Sequence, residues 1–126
     1  MKREILIVDD EKSIRFTVKE LLFKEGYGVH TAENFDEAVK IMVTEHMDII
    51  LSDIVLEART GIDLLKEVKE RGLNCPVILF TGYPDVKTAS EAVRHGAYDY
   101  MTKPIEKETL LNTVSRAIRY KTLVEE

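Results

Sequence analysis

The chain has 126 residues, 44% hydrophobic and 33% charged, with 18 Lys plus Arg against 23 Asp plus Glu for a net charge of −5. One domain of this length buries roughly two-thirds of its unfolded surface, and the acidic balance excludes a nucleic-acid-binding module built on a basic face. A lone cysteine, Cys75, excludes an internal disulfide, and the first apolar run, Ile5 to Val8, is too short for a signal peptide or membrane span, so a cytoplasmic protein without a membrane partner is expected.

The first predicted strand is Glu4–Val8, followed by a helix with Ile14, Val18, Leu21 and Leu22 on one face. Gly26 ends that helix, and a strand is expected over Gly28–Ala32. Asn34 with Glu37 resembles a capping box opening a second helix, which carries Phe35, Ala38, Ile41 and Met42. Asp48–Ser52 reads as the third strand and Leu64, Leu65 and Val68 as the face of the third helix, closed by Gly72. Pro76–Phe80 is the fourth strand; a shorter helical pattern of Val86, Ala89 and Val93 follows, ending at Gly96. The fifth strand is expected over Ala97–Met101, and Leu110, Leu111, Val114, Ala117 and Ile118 mark the last helix.

Strands alternating with helices at this spacing imply right-handed crossovers and a doubly wound parallel sheet, a (βα)5 layout. Segments one, three and four are continuously apolar, as strands covered on both faces should be, whereas segments two and five mix in His30, Thr31 and Asp99. Placing the latter at the edges gives the strand order 2-1-3-4-5, with a switch point between strands one and three where ligands bind beyond the carboxyl ends.

At those ends stand Asp9 and Asp10, Asp53, Thr81 and Lys103. Two carboxylates about 4 Å apart repel by ~4 kcal/mol at an effective dielectric near 20. One lysine cannot neutralise three acids, so a bound cation is expected. Oxygen ligands with room for water favour Mg²⁺ over zinc, and Cys and His ligands are not clustered. Each residue also has an ordinary alternative. Asp10 can be a helix N-cap, Asp53 a loop cap, Thr81 a turn residue and Lys103 a solvated surface lysine. Four strand ends delivering complementary chemistry to one place outweigh those alternatives.

The pattern Val8-Asp9-Asp10-Glu11, Ser52-Asp53, Phe80-Thr81-Gly82 and Tyr100-Met101-Thr102-Lys103-Pro104 resembles the receiver domain of two-component response regulators, from Ile5 to about Arg119. The stretch from Thr81 to Ala89, with Gly96 to Tyr100, is most similar to receivers of nitrogen-regulation-type (sigma-54-dependent) bacterial transcriptional activators. The resemblance implies a flavodoxin-like fold across the whole chain and a phosphoprotein whose Asp53 accepts a phosphoryl group from the phosphohistidine of a sensor histidine kinase. It implies Mg²⁺, with Mn²⁺ able to substitute, on Asp10, Asp53 and the main-chain carbonyl of Val55, with Asp9 acting through water. Lys103 and Thr81 are expected to bind phosphoryl oxygens, Gly82 to leave the pocket open, and the Lys103–Pro104 peptide to be cis. Thr81 and Tyr100 are the expected switch pair, moving the face of helix four, strand five and helix five and recruiting a partner or a second copy. The ordinary alternative for Tyr100 is an edge-strand tyrosine with a surface hydroxyl, which the switch role slightly outweighs. A domain of this kind catalyses only its own phosphorylation and dephosphorylation.

Some positions depart from the family pattern. Glu57 stands where receivers usually carry proline, which loosens the loop after strand three, and Thr60-Gly61 replaces a frequent Asp-Gly. Val55 is apolar and cannot orient an attacking water, so slow dephosphorylation is expected, with Tyr83 across the site compensating or shielding. Lys12, Arg15 and Phe16 beside the site are either a kinase-docking surface or a solvated charged face. Arg116, Arg119 and Lys121 read as cations suited to a helix C-terminus. The pattern from Tyr120 to Glu126 has no Gly or Pro stop, so the last helix is expected to run on into an output domain: an ATPase with a DNA-binding domain, or a sensory domain of the PAS class.

Two other classes carry an Asp nucleophile or a related fold. A haloacid-dehalogenase-type phosphohydrolase takes its nucleophile from the first strand in an Asp-x-Asp pattern, which Asp9-Asp10-Glu11-Lys12 does not match. A flavodoxin needs a first loop that cradles a phosphate, and acids there repel one. A degenerate receiver is disfavoured because all five key positions are filled by competent residues.

Overall fold

The computed structural model describes residues 2–125, the side chain of residue 125 excepted. The elements in chain order are β1 (Glu4–Val8), α1 (Lys12–Lys24), β2 (Gly28–Ala32), α2 (Phe35–Thr44), β3 (Ile49–Asp53), α3 (Gly61–Glu70), β4 (Val77–Thr81), α4 (Val86–Arg94), β5 (Asp99–Thr102) and α5 (Lys107–Glu125). All neighbouring strands are parallel and the sheet order is β2-β1-β3-β4-β5.

Period-two alternation along the central strands feeds two cores. Leu6, Val8, Ile50, Val77 and Leu79 pack toward α2 and α3, against Ala38, Leu64, Leu65 and Val68. Ile5, Ile7, Ile49, Leu51, Ile78 and Phe80 pack toward α1 and α5, against Val18, Leu22, Leu110 and Val114. Each such fully buried side chain contributes about 1.5–3 kcal/mol, so the two-layer burial fixes the register that brings the strand ends level.

The strands differ from expectation at their ends. β3 and β4 run one residue later than the apolar runs suggested, because the ladder continues through polar residues: Asp53 pairs with Phe80 and Thr81 with Thr102. β5 starts at Asp99 because Ala97 N–H is spent on Ala92 O, closing α4 around Gly96 at φ +85°.

The helices bring three corrections. Asn34 accepts the Glu37 N–H at 2.9 Å, but the Glu37 carboxylate takes the Glu33 N–H, so only half a capping box forms. The reciprocal box is at Thr60 and Asp63. On α4 the expected apolar face points outward: Val86 and Val93 are 84% and 77% exposed, and Ala92 is the buried residue. Lys121 is no helix-end cation, since α5 continues to Glu125 and Lys121 lies buried beneath the sheet.

Candidate functional site

The ends of β1, β3 and β4 and the segment after β5 converge on a cleft of about 410 Å³ lined by Asp10, Glu11, Asp53, Val55, Gly82, Tyr83 and Lys103. A larger groove, about 510 Å³, runs along β5 and the start of α5 from Asp99 to Arg116.

Asp53 ends β3 with 5% of its surface exposed. Its Oδ1 accepts the Val55 N–H at 3.0 Å and its Oδ2 accepts from Lys103 Nζ at 2.8 Å. The backbone behind it is fixed by Gly61, where any Cβ would run into the Asp53 carbonyl oxygen. The Gly61 N–H donates to Ile54 O at 2.8 Å, so the loop closes tightly on the strand end.

Asp9 is fully buried; its N–H donates to Ala32 O at 3.1 Å and its Oδ1 accepts the Glu11 N–H at 2.8 Å. Its Oδ2 makes no hydrogen bond among the described residues, although Lys103 Nζ stands 3.0 Å away as an ion-pair contact. Burial pushes the Asp9 carboxyl above its ordinary range, and the Asp53 charge adds to this against the opposing pull of the Glu11 N–H and Lys103. Asp10 is exposed at the mouth and is not the helix N-cap; that position belongs to Glu11, whose side chain makes no cap.

Lys103 faces Asp53, Asp9 and Glu11 at 2.8, 3.0 and 3.3 Å. Burial disfavours its charge, but the bond to Asp53 and the negative charges of Asp9 and Asp53 outweigh that and hold the ammonium above its usual range. The Lys103–Pro104 peptide bond is cis.

Thr81 is buried at the end of β4, and its Oγ1 accepts the Tyr83 N–H at 3.1 Å. Tyr83 itself is 84% exposed over the cleft. At Gly82 a Cβ would meet Lys103 Cδ at 4.0 Å, an ordinary contact, so the fold tolerates a side chain there and its absence leaves space in the cleft. Tyr100 does not line the cleft; half-buried, it packs on the α2–α3 core with its hydroxyl 3.1 Å from Thr88 Oγ1.

One oxygen from each of Asp9, Asp10, Glu11 and Asp53 lies within 4.8 Å of the others. Four carboxylates against one ammonium, with a buried carboxylate oxygen lacking a hydrogen bond, fit a hard, oxygen-liganded divalent cation. Glu11 joins the acids that the sequence pattern points to. Its place directly after the Asp pair is the available signal, because an N-cap residue so close to a strand end stays beside the crevice. Arg15, read as docking surface or solvated face, is only 17% exposed and donates to the Asp9 carbonyl oxygen at 2.8 Å. Phe16 is 65% exposed.

The chain is 38% identical over 122 residues to the regulatory protein AtoC of Escherichia coli (strain K12), covering 97% of this chain and 26% of that protein. The chain spans about a quarter of that protein and of the NtrC regulator of Klebsiella pneumoniae, and about half of the regulatory protein DltR of Streptococcus agalactiae. Among solved structures it superposes on a response regulator receiver domain protein from Clostridium thermocellum with TM-score 0.90 and 31% identity, over 97% of this chain and 98% of that one. It matches the beryllofluoride-activated NtrC4 receiver domain dimer with TM-score 0.89 and 32% identity, over 94% and 98%. Residues 5–115 match the response regulator receiver domain, the span that carries the acid pair, Asp53, Thr81 and Lys103, and the chain belongs to that family.

Proposed function

We propose that this chain, 1–126, is the phosphoacceptor module of a response regulator, with Asp53 as the acceptor. The observation that carries this is the environment of Asp53: a nearly buried carboxylate bonded to one ammonium and one main-chain N–H, in a cleft with three further acids. An Asp53 oxygen attacks phosphorus in line, the bond from phosphorus to the imidazole nitrogen of a sensor histidine kinase breaks, and the imidazole keeps the electron pair. The product is an acyl phosphate, and the chemistry needs mainly positioning and charge stabilisation.

Asp10, Asp53 and the Val55 carbonyl would hold Mg²⁺ or Mn²⁺, with Asp9 through water, and the ion would supply positive charge for the phosphoryl oxygens. Lys103 moves from carboxylate to phosphoryl oxygen with little displacement, since its Nζ already lies 2.8 Å from Asp53 Oδ2. Thr81, whose hydroxyl oxygen accepts from Tyr83 N–H, still has its own proton to donate to a second phosphoryl oxygen. Thr81 leaving that position and Tyr100 turning further inward would reshape the α4–β5–α5 face. This is a population shift driven by the charge on Asp53.

The domain catalyses no reaction other than its own phosphorylation and dephosphorylation. Its partners are a sensor histidine kinase, a second copy upon phosphorylation, and an output domain, which the greater length of its relatives supports. No helix among the described residues is long and apolar enough to cross a membrane, and a cytoplasmic location fits the kinase partner.

Intact-mass measurement after incubation with acetyl phosphate and Mg²⁺ tests this. One added phosphoryl group, absent in Asp53→Asn and absent without Mg²⁺, is expected. An adduct that survives Asp53→Asn overturns the assignment of the acceptor.

A further inference from the structure

Arg15 does not line the cleft, yet its guanidinium joins the connection after β1, which does, to the connection after β2. Nη1 donates to the Asp9 carbonyl oxygen at 2.8 Å, and Nη2 lies 3.7 Å from Glu33 Oε2 in the connection after β2. The side chain is 17% exposed, so the contact is largely shielded from water. A charged donor on a main-chain carbonyl is among the stronger hydrogen bonds available to a loop.

The polar atoms of Asp9 can be followed one by one. Its N–H is taken by Ala32 O, its carbonyl by Arg15, and its Oδ1 by the Glu11 N–H. That leaves Oδ2 pointing toward the Lys103 ammonium. Arg15 therefore fixes the oxygen of the peptide that links Asp9 to Asp10. The start of α1 has no side-chain cap to do this instead, because Glu11 occupies the N-cap position without making a cap bond. An uncapped first turn leaves N–H groups unsatisfied and the turn prone to fray. Asp10 is exposed and lies one residue before that N-cap, in the connection whose peptide Arg15 holds.

We infer that Arg15 is a positioning residue for the cation site: it orients the Asp9–Asp10 peptide so that Asp10 stands beside Asp53, and its loss weakens divalent-cation binding without removing a ligand. The inference rests on the phosphoacceptor reading in taking Asp9, Asp10 and Asp53 as the acids that hold the ion. Residues that orient metal ligands from behind carry roughly 10- to 100-fold in affinity. Lysine at this position keeps a cation able to reach one acceptor but loses the two-pronged bridge, because the guanidinium fork is what spans two partners.

Mn²⁺ is the probe, its free concentration followed by electron paramagnetic resonance during titration of the metal-free protein. Arg15→Ala is expected to weaken Mn²⁺ binding roughly tenfold, and Arg15→Lys to recover most of it. Glu33→Gln leaves the carbonyl contact in place and is expected to change affinity less than about twofold. Arg15→Gln, too short to reach the carbonyl from its helix position, carries the same expectation as Arg15→Ala should the alanine variant lack a cooperative melt.

Mn²⁺ affinity within twofold of wild type in Arg15→Ala or Arg15→Gln overturns the inference and leaves the phosphoacceptor function standing. A Glu33→Gln effect as large as that of Arg15→Ala also overturns it, by moving the role to the charge bridge. Wild-type protein that binds no Mn²⁺ and takes no phosphoryl group overturns the function and the inference together.

Discussion

The ammonium of Lys121 lies 3.7 Å from Asp48 Oδ1, with 1% and 5% of the two side chains exposed, at the pole of the sheet opposite Asp53. Asp48 also accepts the Glu4 N–H at 2.8 Å, Arg3 Nη1 lies 3.4 Å away and His46 Nε2 3.1 Å away. Arg3 Nη2 donates to Thr122 Oγ1 at 2.9 Å. The last turns of α5 are thus tied to the starts of β1 and β3.

Asp48 is therefore expected to be the costlier member to remove. Asp48→Ala takes a carboxylate from beside the buried Lys121 ammonium, from Arg3 and from the Glu4 N–H at once and should lose roughly 3 kcal/mol. Lys121→Met should lose about 1 kcal/mol or less, because Asp48 keeps the Glu4 N–H, the Arg3 guanidinium and the His46 ring nitrogen, and the methionine stem packs in the same space. Urea unfolding of the two variants at neutral pH measures the difference, and equal losses would contradict it.

Acid should weaken the same cluster. Burial alone would raise the Asp48 carboxyl, but the Glu4 N–H, His46 and Lys121 outweigh it and hold it below the ordinary range. A folded value below the unfolded one gives stability that is present above the usual carboxylate range and lost as pH falls through the folded value. Asp63, lowered chiefly by the Thr60 N–H, has the same sign. Asp9, raised by burial, has the opposite sign: in metal-free protein its charge costs stability that returns as it protonates. The stability gap between wild type and Asp48→Asn should therefore narrow as unfolding is repeated from neutral pH down toward pH ~3.

Divalent cation should raise the melting temperature of the wild type. At ten times its dissociation constant a ligand specific to the folded state adds about 1.4 kcal/mol. Asp10→Asn should abolish most of the shift while melting at least as high as wild type without metal, since one of four crowded carboxylates loses its charge. A full Mg²⁺ shift in Asp10→Asn, read by calorimetry, would remove Asp10 from the cation site.

The phosphorylated form should decay slowly. Val55 is 57% exposed and lines the cleft without a group to orient water, and Tyr83 lies over the opposite side. Val55→Asn supplies a polar amide there and should shorten the lifetime of the acyl phosphate by at least about threefold. A lifetime of seconds in the wild type, followed by mass spectrometry after removal of phosphodonor, would rule out this account.

The loop after β3 carries local strain. Ala58 sits at φ +69° while the Arg59 N–H donates to Glu57 O at 2.8 Å, a tight three-residue turn. Arg59 then lies over the Phe35 ring at 4.1 Å, holding the loop to the start of α2. Ala58→Gly should gain about 0.5 kcal/mol, the relief of left-handed strain less the added unfolded-state freedom. Ala58→Val should lose more than about 1 kcal/mol, because a branched side chain is poorly accommodated at positive φ. Thermal melts of both variants separate these signs.

Patterning in the chain determined the architecture. Runs such as Ile5–Val8 and Val77–Phe80 must be covered on both faces, and mixed segments such as Gly28–Ala32 must lie at an edge; these local requirements order the sheet without any long-range information. The same order made Asp9, Asp10, Asp53, Thr81 and Lys103 neighbours in prospect, because residues that end parallel strands share one side of the sheet. Tertiary structure alone decided the rest. Lys121 looks like a helix-end cation until α5 crosses Asp48, and Val86 and Val93 look like a core face until the shallow contact of α4 leaves Ala92 as the inward residue. Arg15 gains its meaning from the Asp9 carbonyl, six residues back in the connection after β1. Period and composition report which face of an element is apolar; they do not report which partner lies across the gap, and the pairing of charges and the packing depth of a helix depend on that partner.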